Sequence, residues 1–349
     1  MCKDAPEQES PPLVSVVIVN YNSGVYLAGC VKSLMNCSYP RKELIVVDNA
    51  SGDGSIAQLE DLNAEVKIVR NAANLGYSRG CNIGIGMCKG KFVIIMNPDT
   101  LVEPGCLQAL VNASQRYPQA AFLQPKILLM DNPRLLNSAG NMIHIAGFGV
   151  CRGIGTPDGG FQKESEVCYT SGACTLARMR AVQDIGPMEE LFFAYGEDKD
   201  WGWRALMDGW QSIFVPSAKV LHSWSPTLGD SPAKFYLLEF ERWLSILKNY
   251  SGRTLLLLAP VLVLVELSVF LYATLKGWLA KKIQTYADLL RVWRVVAERR
   301  RTLQNRRLVP DRLVLRRFVA NVEHPYIGPV GHVLNHLVCW LFARVGRWI

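Results

Sequence analysis

The stretch IIMNPDT, residues 94–100, ends an apolar run abruptly at an amide, a proline and a carboxylate. An apolar run of this length is typical of a buried strand. Similar runs precede it, and the four predicted strands are LVSVVIVN (13–20), ELIVVDNAS (43–51), VKIV (66–69) and KFVIIMNPD (91–99). Segments with helical spacing, such as 24–35 and 78–88, separate them. Near-continuous apolar strands that alternate with helices predict a doubly wound α/β fold, in which helices cover both faces of a mostly parallel sheet.

Polar side chains stand at the ends of these predicted strands, where open α/β sheets bind their ligands. The candidates for nucleotide binding are Asn20, Asn22, Asp48, Asn97 and Asp99. Asp48, after the second strand, is well placed to hold a ribose or a base edge. A nicotinamide-dinucleotide fold would need G-x-G-x-x-G after the first strand, whereas the sequence there is NYNSGVYLAGC. We therefore do not expect a glycine-rich turn to hold the nucleotide.

Asp99 is a candidate metal ligand. Magnesium or manganese held by one carboxylate can complete its shell with substrate phosphate oxygens and water. Asn97 lies one side-chain period earlier on the same strand face and could hydrogen-bond a ribose, and Pro98 fits a chain that leaves the sheet. By itself, the tetrapeptide NPDT is equally compatible with a simple turn.

The pattern changes from about residue 132. Frequent glycines in GFGVCRGIGTPDGG (147–160) predict loops and a mobile segment. A strand-like stretch follows at 167–179, and two short strands are expected on either side of Pro216. Apolar or amphipathic spacing predicts further helices at 198–206, 233–249, 254–274 and 283–301.

Seven motifs in this order resemble the family 2 glycosyltransferases with a GT-A fold, especially their rhamnosyltransferase-like branch. They are SVVIVNYN (15–22), VVDNASGDGS (46–55), NLGYSRGCNIGI (74–85), MNPD (96–99), TSGACTLARMRAVQDIG (170–186), FFAYGEDKDWGWRALMDGW (192–210) and VLHSWS (220–225). The resemblance implies a mixed, mostly parallel nucleotide-binding sheet flanked by helices. Over residues 13–250 it implies a nucleotide-sugar-binding half (13–131) and an acceptor-binding and catalytic half (132–250). An N-terminal tail (1–12) precedes them, and composition predicts a membrane-associated basic helical region at 251–349.

The resemblance also implies roles for single residues. Asp48 would contact the nucleobase or its ribose, and Asp99 takes the last position of the family's metal-binding D-x-D, whose first position Asn97 fills. Asp198 falls where the family has its catalytic base, and His222 where some members have a further metal ligand. Secondary candidates are Asn74 and Arg79 for the nucleotide sugar, Glu197 and Asp200 beside the base, and Trp224 for stacking on a sugar ring.

These roles fit the chemistry of glycosyl transfer, which needs a base for the acceptor hydroxyl and charge stabilisation for the leaving diphosphate. A metal at Asp99 would neutralise the departing phosphates. One catalytic carboxylate suffices for a single displacement, so inversion at the anomeric carbon is expected. Two alternatives remain open: a sugar-phosphate nucleotidyltransferase, which would want a basic glycine-rich loop after the first strand, and a non-catalytic membrane-bound scaffold on the same fold.

Charge is unevenly distributed along the 349 residues. Residues 276–349 contain 15 Lys and Arg against 4 Asp and Glu, a net charge of +11, whereas the whole chain carries +8. Such a tail suggests contact with anionic lipid or nucleic acid, and its helically spaced tryptophans and leucines favour lipid over nucleic acid. The first twelve residues contain no apolar run of the kind found in signal peptides, so no signal peptide is expected. The ten cysteines form no C-x-x-C, and reduced thiols are expected.

The apolar segment 254–274 is long enough to span a bilayer, at about 31 Å if helical. However, Glu266 lies near its middle and Pro260 would kink or break it. A single crossing would also carry the basic tail across the membrane, against the positive-inside bias. A second apolar stretch at 332–345 is short for a span. We therefore predict attachment to the cytoplasmic face of the cell membrane without crossing, near anionic headgroups, and a lipid-linked glycan acceptor. The oligomeric state is left open.

Overall fold

The computed structural model describes residues 10–62, 64–223, 231–322 and 329–349. Its strands are β1 Val14–Asn20, β2 Lys42–Asp48, β3 Val66–Arg70, β4 Phe92–Met96, β5 Thr100–Val102, β6 Ala120–Leu129, β7 Leu136–Ser138, β8 Asn141–Ile143, β9 Gly149–Cys151, β10 Ser165–Val167, β11 Cys174–Arg178 and β12 Gln211–His222. Its α-helices are α1 Tyr26–Met35, α2 Ser55–Glu60, α3 Tyr77–Ile85, α4 Cys106–Arg116, α5 Met179–Ile185, α6 Glu197–Met207, α7 Pro232–Asn249, α8 Gly252–Leu275, α9 Leu279–Arg291, α10 Trp293–Arg306, α11 Asp311–Leu315 and α12 Pro329–Val345.

One ten-stranded sheet forms the centre of the molecule, in the order β10-β12-β6-β11-β4-β1-β2-β3, with β5 beside β12 and β7 beside β6. Strands β4, β1, β2 and β3 run parallel, and all seven residues of β1 are buried. Burial on both faces explains why β1, β2 and β4 read as continuous apolar runs, whereas β3, at the end of the sheet order, is only partly buried. The mixed, mostly parallel sheet flanked by helices is confirmed, but β11 lies antiparallel between β4 and β6.

Three predicted elements differ from the structure. The two short strands around Pro216 are one strand, β12, because an irregularity between Val215 and Lys219 accommodates a residue that cannot donate a backbone hydrogen bond. The glycine-rich segment 147–160 contains the short strand β9 in addition to loops. The predicted stripe at 283–301 belongs to two helices, α9 and α10, which meet at Val292.

The C-terminal helices pack against residues 132–250 and against one another. Helix α8 continues through Pro260 without ending, so of the predicted kink or break the break does not occur. Its buried residues Leu258, Val261 and Val265 join a core that also contains Trp203 of α6. Within the described ranges, α8 is the single helix whose length and composition would allow it to cross a membrane.

Candidate functional site

An open cleft of ≈ 980 Å³ lies beyond the carboxyl ends of β1 and β4. Its walls come from the loops after these two strands, from the segment before α6, from the end of β12 and from α7. The residues expected to bind a nucleotide sugar, a metal or an acceptor that line it are Asn22, Asn74, Asn97, Asp99, Glu197, Asp198 and His222. The topology thus brings residues that are up to 200 positions apart in the sequence to one cleft.

Asn20 and Asp48 lie behind this wall. The side-chain amide of Asn20 donates to Oδ1 of Asp48 over 2.9 Å, and the backbone N–H of Ser51 donates to Oδ2 of Asp48 over 3.3 Å. Both side chains are buried, at 0% and 5% exposure. In this structure they tie the ends of β1 and β2 together, and neither lines the cleft.

Asp53, which the sequence reasoning missed, does line the cleft. Its carboxylate accepts a hydrogen bond from the backbone N–H of Gly24 over 2.6 Å and bonds from Ser55. Slight burial acts to raise the pKa of Asp53, but these hydrogen bonds outweigh it and the pKa is lowered. The available signal was a second acid in the loop DNASGDGS. An ionised Asp53 therefore braces the two loops that follow β1 and β2.

Asp99 and His222 meet because β5 pairs with the end of β12, with His222 opposite Thr100. Nε2 of His222 lies 3.3 Å from Oδ1 of Asp99. That oxygen is buried and has no hydrogen-bond partner among the described residues. Nδ1 of His222 lies 3.3 Å from Oδ1 of Asn137. A proton on Nδ1 would therefore leave the lone pair of Nε2 facing Asp99.

This pair fits a divalent cation. A buried carboxylate oxygen without a donor is costly unless something satisfies it, and two ligands of an octahedral ion with bonds of about 2.1 Å lie roughly 3 Å apart. The described residues contain no group of three or more His, Cys, Asp or Glu side chains that could hold a metal. Asp99 and His222 would therefore need donor phosphates and water to complete the shell, which is how magnesium is usually bound.

Glu197 and Asp198 form the first turn of α6. The chain enters this turn through Tyr195 and Gly196, both with positive φ, 69° and 74°. A Cβ at Gly196 would lie 2.3 Å from the carboxyl carbon of Glu241, so both the conformation and the close approach require glycine. The tight entry directs two adjacent carboxyl groups into the cleft.

The two carboxyl groups differ in their hydrogen bonds. Asp198 accepts from the backbone N–H of Gly172 over 3.0 Å and from that of Lys199 over 2.7 Å. Burial raises the pKa of Asp198, and these two bonds partly oppose the rise. Oε2 of Glu197 is buried and receives no hydrogen bond from the part of the chain that the structure describes. Burial and the neighbouring Asp198 charge raise the pKa of Glu197 to about 8. At neutral pH the ionised member of the pair is therefore Asp198.

Lys199 and Glu241 lie against this pair. Their charged atoms are 2.6 Å apart, and the ammonium of Lys199 also donates to the carbonyl of Gly147. Burial raises the pKa of Glu241 to about 7, although Lys199 opposes the rise. Glu241 comes from α7, where no sequence motif pointed to it, and it lines the cleft. The site thus contains three carboxyl groups near one ammonium group.

Asp200 and Arg79 lie outside the cleft lining. Asp200 is fully buried and pairs with Arg204 at 2.9 Å and with Lys248 at 3.0 Å. Burial alone would raise the pKa of Asp200, but these cations lower it to about 2. Arg79 is more than half exposed and lies 3.8 Å from Glu190. Trp224 lies outside the described residues.

Comparison with known proteins finds similarity to glycosyltransferases. The family model described as "Glycosyl transferase family 2" matches residues 15–186. The chain is 31% identical over 244 residues to the N-acetylglucosaminyl-diphospho-decaprenol L-rhamnosyltransferase of Mycobacterium tuberculosis. That alignment covers 63% of this chain and 79% of the relative.

Solved structures resemble the fold at low sequence identity. A crystal structure of GalNAc-T7 with UDP, GalNAc and Mn²⁺ superposes with a TM-score of 0.58 at 18% identity, over 70% of this chain and 49% of the other. The mannosyltransferase PcManGT from Pyrobaculum calidifontis, in complex with GDP-Man and Mn²⁺, superposes with a TM-score of 0.51 at 15% identity, over 97% and 87% of the two chains.

Proposed function

Because the chain belongs to glycosyltransferase family 2, we propose that it transfers a sugar from a nucleotide-diphosphate donor to a hydroxyl group of a lipid-linked glycan, with inversion at the anomeric carbon. The observation that carries the proposal is the arrangement of Asp99 and His222 on one wall of the cleft and Asp198 on another. The leaving diphosphate needs its charge neutralised, for which Asp99 and His222 would hold a metal. The acceptor hydroxyl needs a base, which would be Asp198.

Each residue has one task in the proposed reaction. Asp99 and His222 would hold Mg²⁺ or Mn²⁺, whose charge neutralises the leaving diphosphate. Asp198 takes the proton of the acceptor hydroxyl as that oxygen attacks the anomeric carbon from the face opposite the leaving group. Glu197 stays protonated at neutral pH, so that it does not compete for this proton. Asn97 and Asn22, which line the same cleft, are candidates for contacts with the nucleotide sugar.

The rhamnosyltransferase of Mycobacterium tuberculosis suggests the substrates. Its acceptor is an N-acetylglucosaminyl-diphospho-decaprenol and its donor sugar is L-rhamnose, according to its name. We propose the same classes here: a deoxyhexose such as rhamnose as the sugar, and a glycan on a prenyl diphosphate as the acceptor. The solved structures with UDP, GDP-Man and Mn²⁺ favour a divalent metal and leave the nucleotide base open.

Membrane attachment is proposed through α8. Five of its exposed apolar residues recur at intervals of four or seven and form one stripe along the helix: Leu256, Val263, Leu267, Leu271 and Leu275. Over about 29 Å this stripe could lie in the plane of a bilayer surface. The net charge of +11 on residues 276–349 would favour anionic headgroups.

Glu266 supports this orientation over a crossing. It faces away from the stripe, and its carboxylate lies 2.5 Å from Arg242 and 2.5 Å from Lys282. Arg242 and Lys282 also pair with Glu239, so two acids and two bases neutralise one another. A crossing α8 would have to carry this cluster into the hydrocarbon or break it, and breaking a buried ion pair costs about 3–5 kcal/mol.

A screen of nucleotide sugars by thermal shift, with and without manganese, tests the donor. We expect one dTDP- or UDP-linked deoxyhexose to raise the melting temperature only when the metal is present. That donor and an N-acetylglucosaminyl prenyl diphosphate should then yield nucleoside diphosphate and a glycosylated lipid. Binding without release of nucleoside diphosphate would instead identify a non-catalytic protein. For the attachment, a cysteine introduced at 300–310 should resist an impermeant thiol reagent in intact cells.

A further inference from the structure

One rim of the cleft is apolar and carries a cation. Leu237 and Leu238, in the second turn of α7, line the cleft, and Leu238 is 41% exposed. One turn earlier, Nζ of Lys234 lies 5.5 Å from the ring centroid of Tyr195, which also lines the cleft. We call Lys234, Leu237 and Leu238 the α7 sill. A purely sugar-binding rim would have little use for exposed leucines, because sugar hydroxyls need hydrogen-bond partners.

The same turn of α7 also packs on the end of α8 through Phe235, which lies three residues before Leu238 and is therefore its neighbour on the helix surface. The ring of Phe235 lies 6.3 Å from that of Tyr272 and 5.6 Å from that of Trp278. Nζ of Lys276 lies 5.8 Å and 5.4 Å from the same two ring centroids. Tyrosine, tryptophan and snorkelling lysine side chains are typical of a membrane–water interface. One turn of α7 therefore contacts both the cleft, through Leu238, and the surface proposed to meet the membrane, through Phe235.

We infer that the α7 sill binds the lipid-proximal part of the acceptor, with the diphosphate at Lys234 and the first isoprene units on Leu237 and Leu238. This inference rests on the proposed lipid-linked acceptor. Charge complementarity supports it, because an ammonium suits a diphosphate. Continuity supports it as well, because a prenyl chain that leaves the bilayer beside Tyr272 and Trp278 reaches the cleft across one helix. The acceptor sugar then lies deeper in the cleft, towards Asp198.

Photo-crosslinking tests the position directly and needs no turnover. The probe is an N-acetylglucosaminyl prenyl diphosphate with a diazirine on its first isoprene unit, added to the full-length protein in detergent. Mass spectrometry should find the adduct within residues 234–238, and excess unlabelled lipid should suppress it. Adducts confined to α12, to the α8 stripe or to the rim around Val25 would overturn the inference.

Kinetics with acceptors of two chain lengths gives an independent measurement. Leu238→Gln should raise KM about tenfold for the decaprenyl acceptor, because it removes roughly 50 Å² of apolar contact. For an acceptor that carries a methyl group on its diphosphate in place of the prenyl chain the change should stay below about twofold, since that contact is absent. Leu238→Met should leave KM for the decaprenyl acceptor at the wild-type value. An equal effect on both acceptors would refute binding of the lipid at this residue.

Lys234→Gln should raise KM for both acceptors, because both carry the diphosphate. Lys281→Gln is the matched control, since Nζ of Lys281 also lies over a tyrosine ring, 5.8 Å from the centroid of Tyr236, but that tyrosine, unlike Tyr195, does not line the cleft. Lys281→Gln should leave KM for the short acceptor unchanged. Equal effects of Lys234→Gln and Lys281→Gln on KM would refute a diphosphate site at Lys234. If the proposed function itself fails, the wild-type protein transfers sugar to neither acceptor. If only the inference fails, the wild-type protein transfers and the adducts lie elsewhere.

Discussion

Replacing Asp198 with Asn is expected to lower turnover by roughly 10²–10⁴-fold, the usual contribution of a positioned general base. This corresponds to about 3–5 kcal/mol of activation free energy. The structure also predicts a smaller cost in stability. The carboxylate accepts from the backbone N–H groups of Gly172 and Lys199, whereas the amide has one oxygen. One N–H would then face the new NH₂ group, at a cost of about 1–2 kcal/mol in unfolding free energy.

The matched control is Glu197→Gln, one residue earlier in the same turn. With a pKa of about 8, Glu197 is largely protonated at neutral pH, so a neutral isostere should change turnover by less than about fivefold. The assay measures release of nucleoside diphosphate at saturating donor, with donor affinity measured separately by calorimetry. The wild-type rate should rise with pH as Asp198 ionises, through a pKa raised above its usual value of 3.8. If Glu197→Gln is the inactive variant and Asp198→Asn retains turnover, the assignment of the base is refuted.

Four further predictions concern the metal, the stereochemistry and two buried acids. Asp99→Ala should abolish manganese-dependent binding of nucleoside diphosphate and His222→Ala should weaken it, and calorimetry that shows unchanged binding for Asp99→Ala would contradict the metal site. Product NMR should show inverted anomeric configuration, and retention would exclude a single displacement. Glu266→Ala should lower the unfolding free energy by about 3 kcal/mol in denaturant titrations, whereas Glu298→Ala, an exposed acid on α10, should change it by less than about 0.5 kcal/mol. Because the folded-state pKa of Glu197, about 8, exceeds its ordinary value of 4.5, stability should fall as pH rises through this interval, and the fall should be smaller in Glu197→Gln.

Three strands of the parallel half of the sheet, β1, β2 and β4, could be predicted from the sequence because they are buried on both faces. Runs such as VSVVIVN and FVIIM leave no alternation for a solvent-facing side, and the structure has strands at both. The antiparallel strand β11 could not be predicted in its place between β4 and β6. Its residues Cys174–Arg178 include a threonine and an arginine, and nothing in this short segment shows that it runs against β4 or which strands it lies between.

The position of a candidate site residue could be predicted best where no neighbouring hydrogen-bond donor takes up its side chain. Asp99 lies three residues beyond the apolar strand β4, in a turn and not on the strand as predicted, and it lines the cleft. Asp48 ends a strand, but the nearby amide of Asn20 and backbone N–H of Ser51 take up its carboxylate, and Asp53 reaches the cleft instead. Glu241 is invisible in the sequence because its role depends on how α7 packs against Gly196. Competition between neighbouring polar groups, and packing between distant segments, are properties of the folded chain.

The effect expected of Glu266 from the sequence alone differs from the effect that its partners in the structure indicate. In the sequence it is a carboxylate in the middle of an apolar segment, and its expected effect is a penalty on membrane contact. In the structure its partners are Arg242 and Lys282, and the pKa of Glu266 is lowered because these partners outweigh burial, which alone would raise it. The acid thus fixes which side of α8 faces the protein. The side that remains outside is the apolar stripe, so the residue that argues against a spanning helix also determines which surface of that helix is free to meet a membrane.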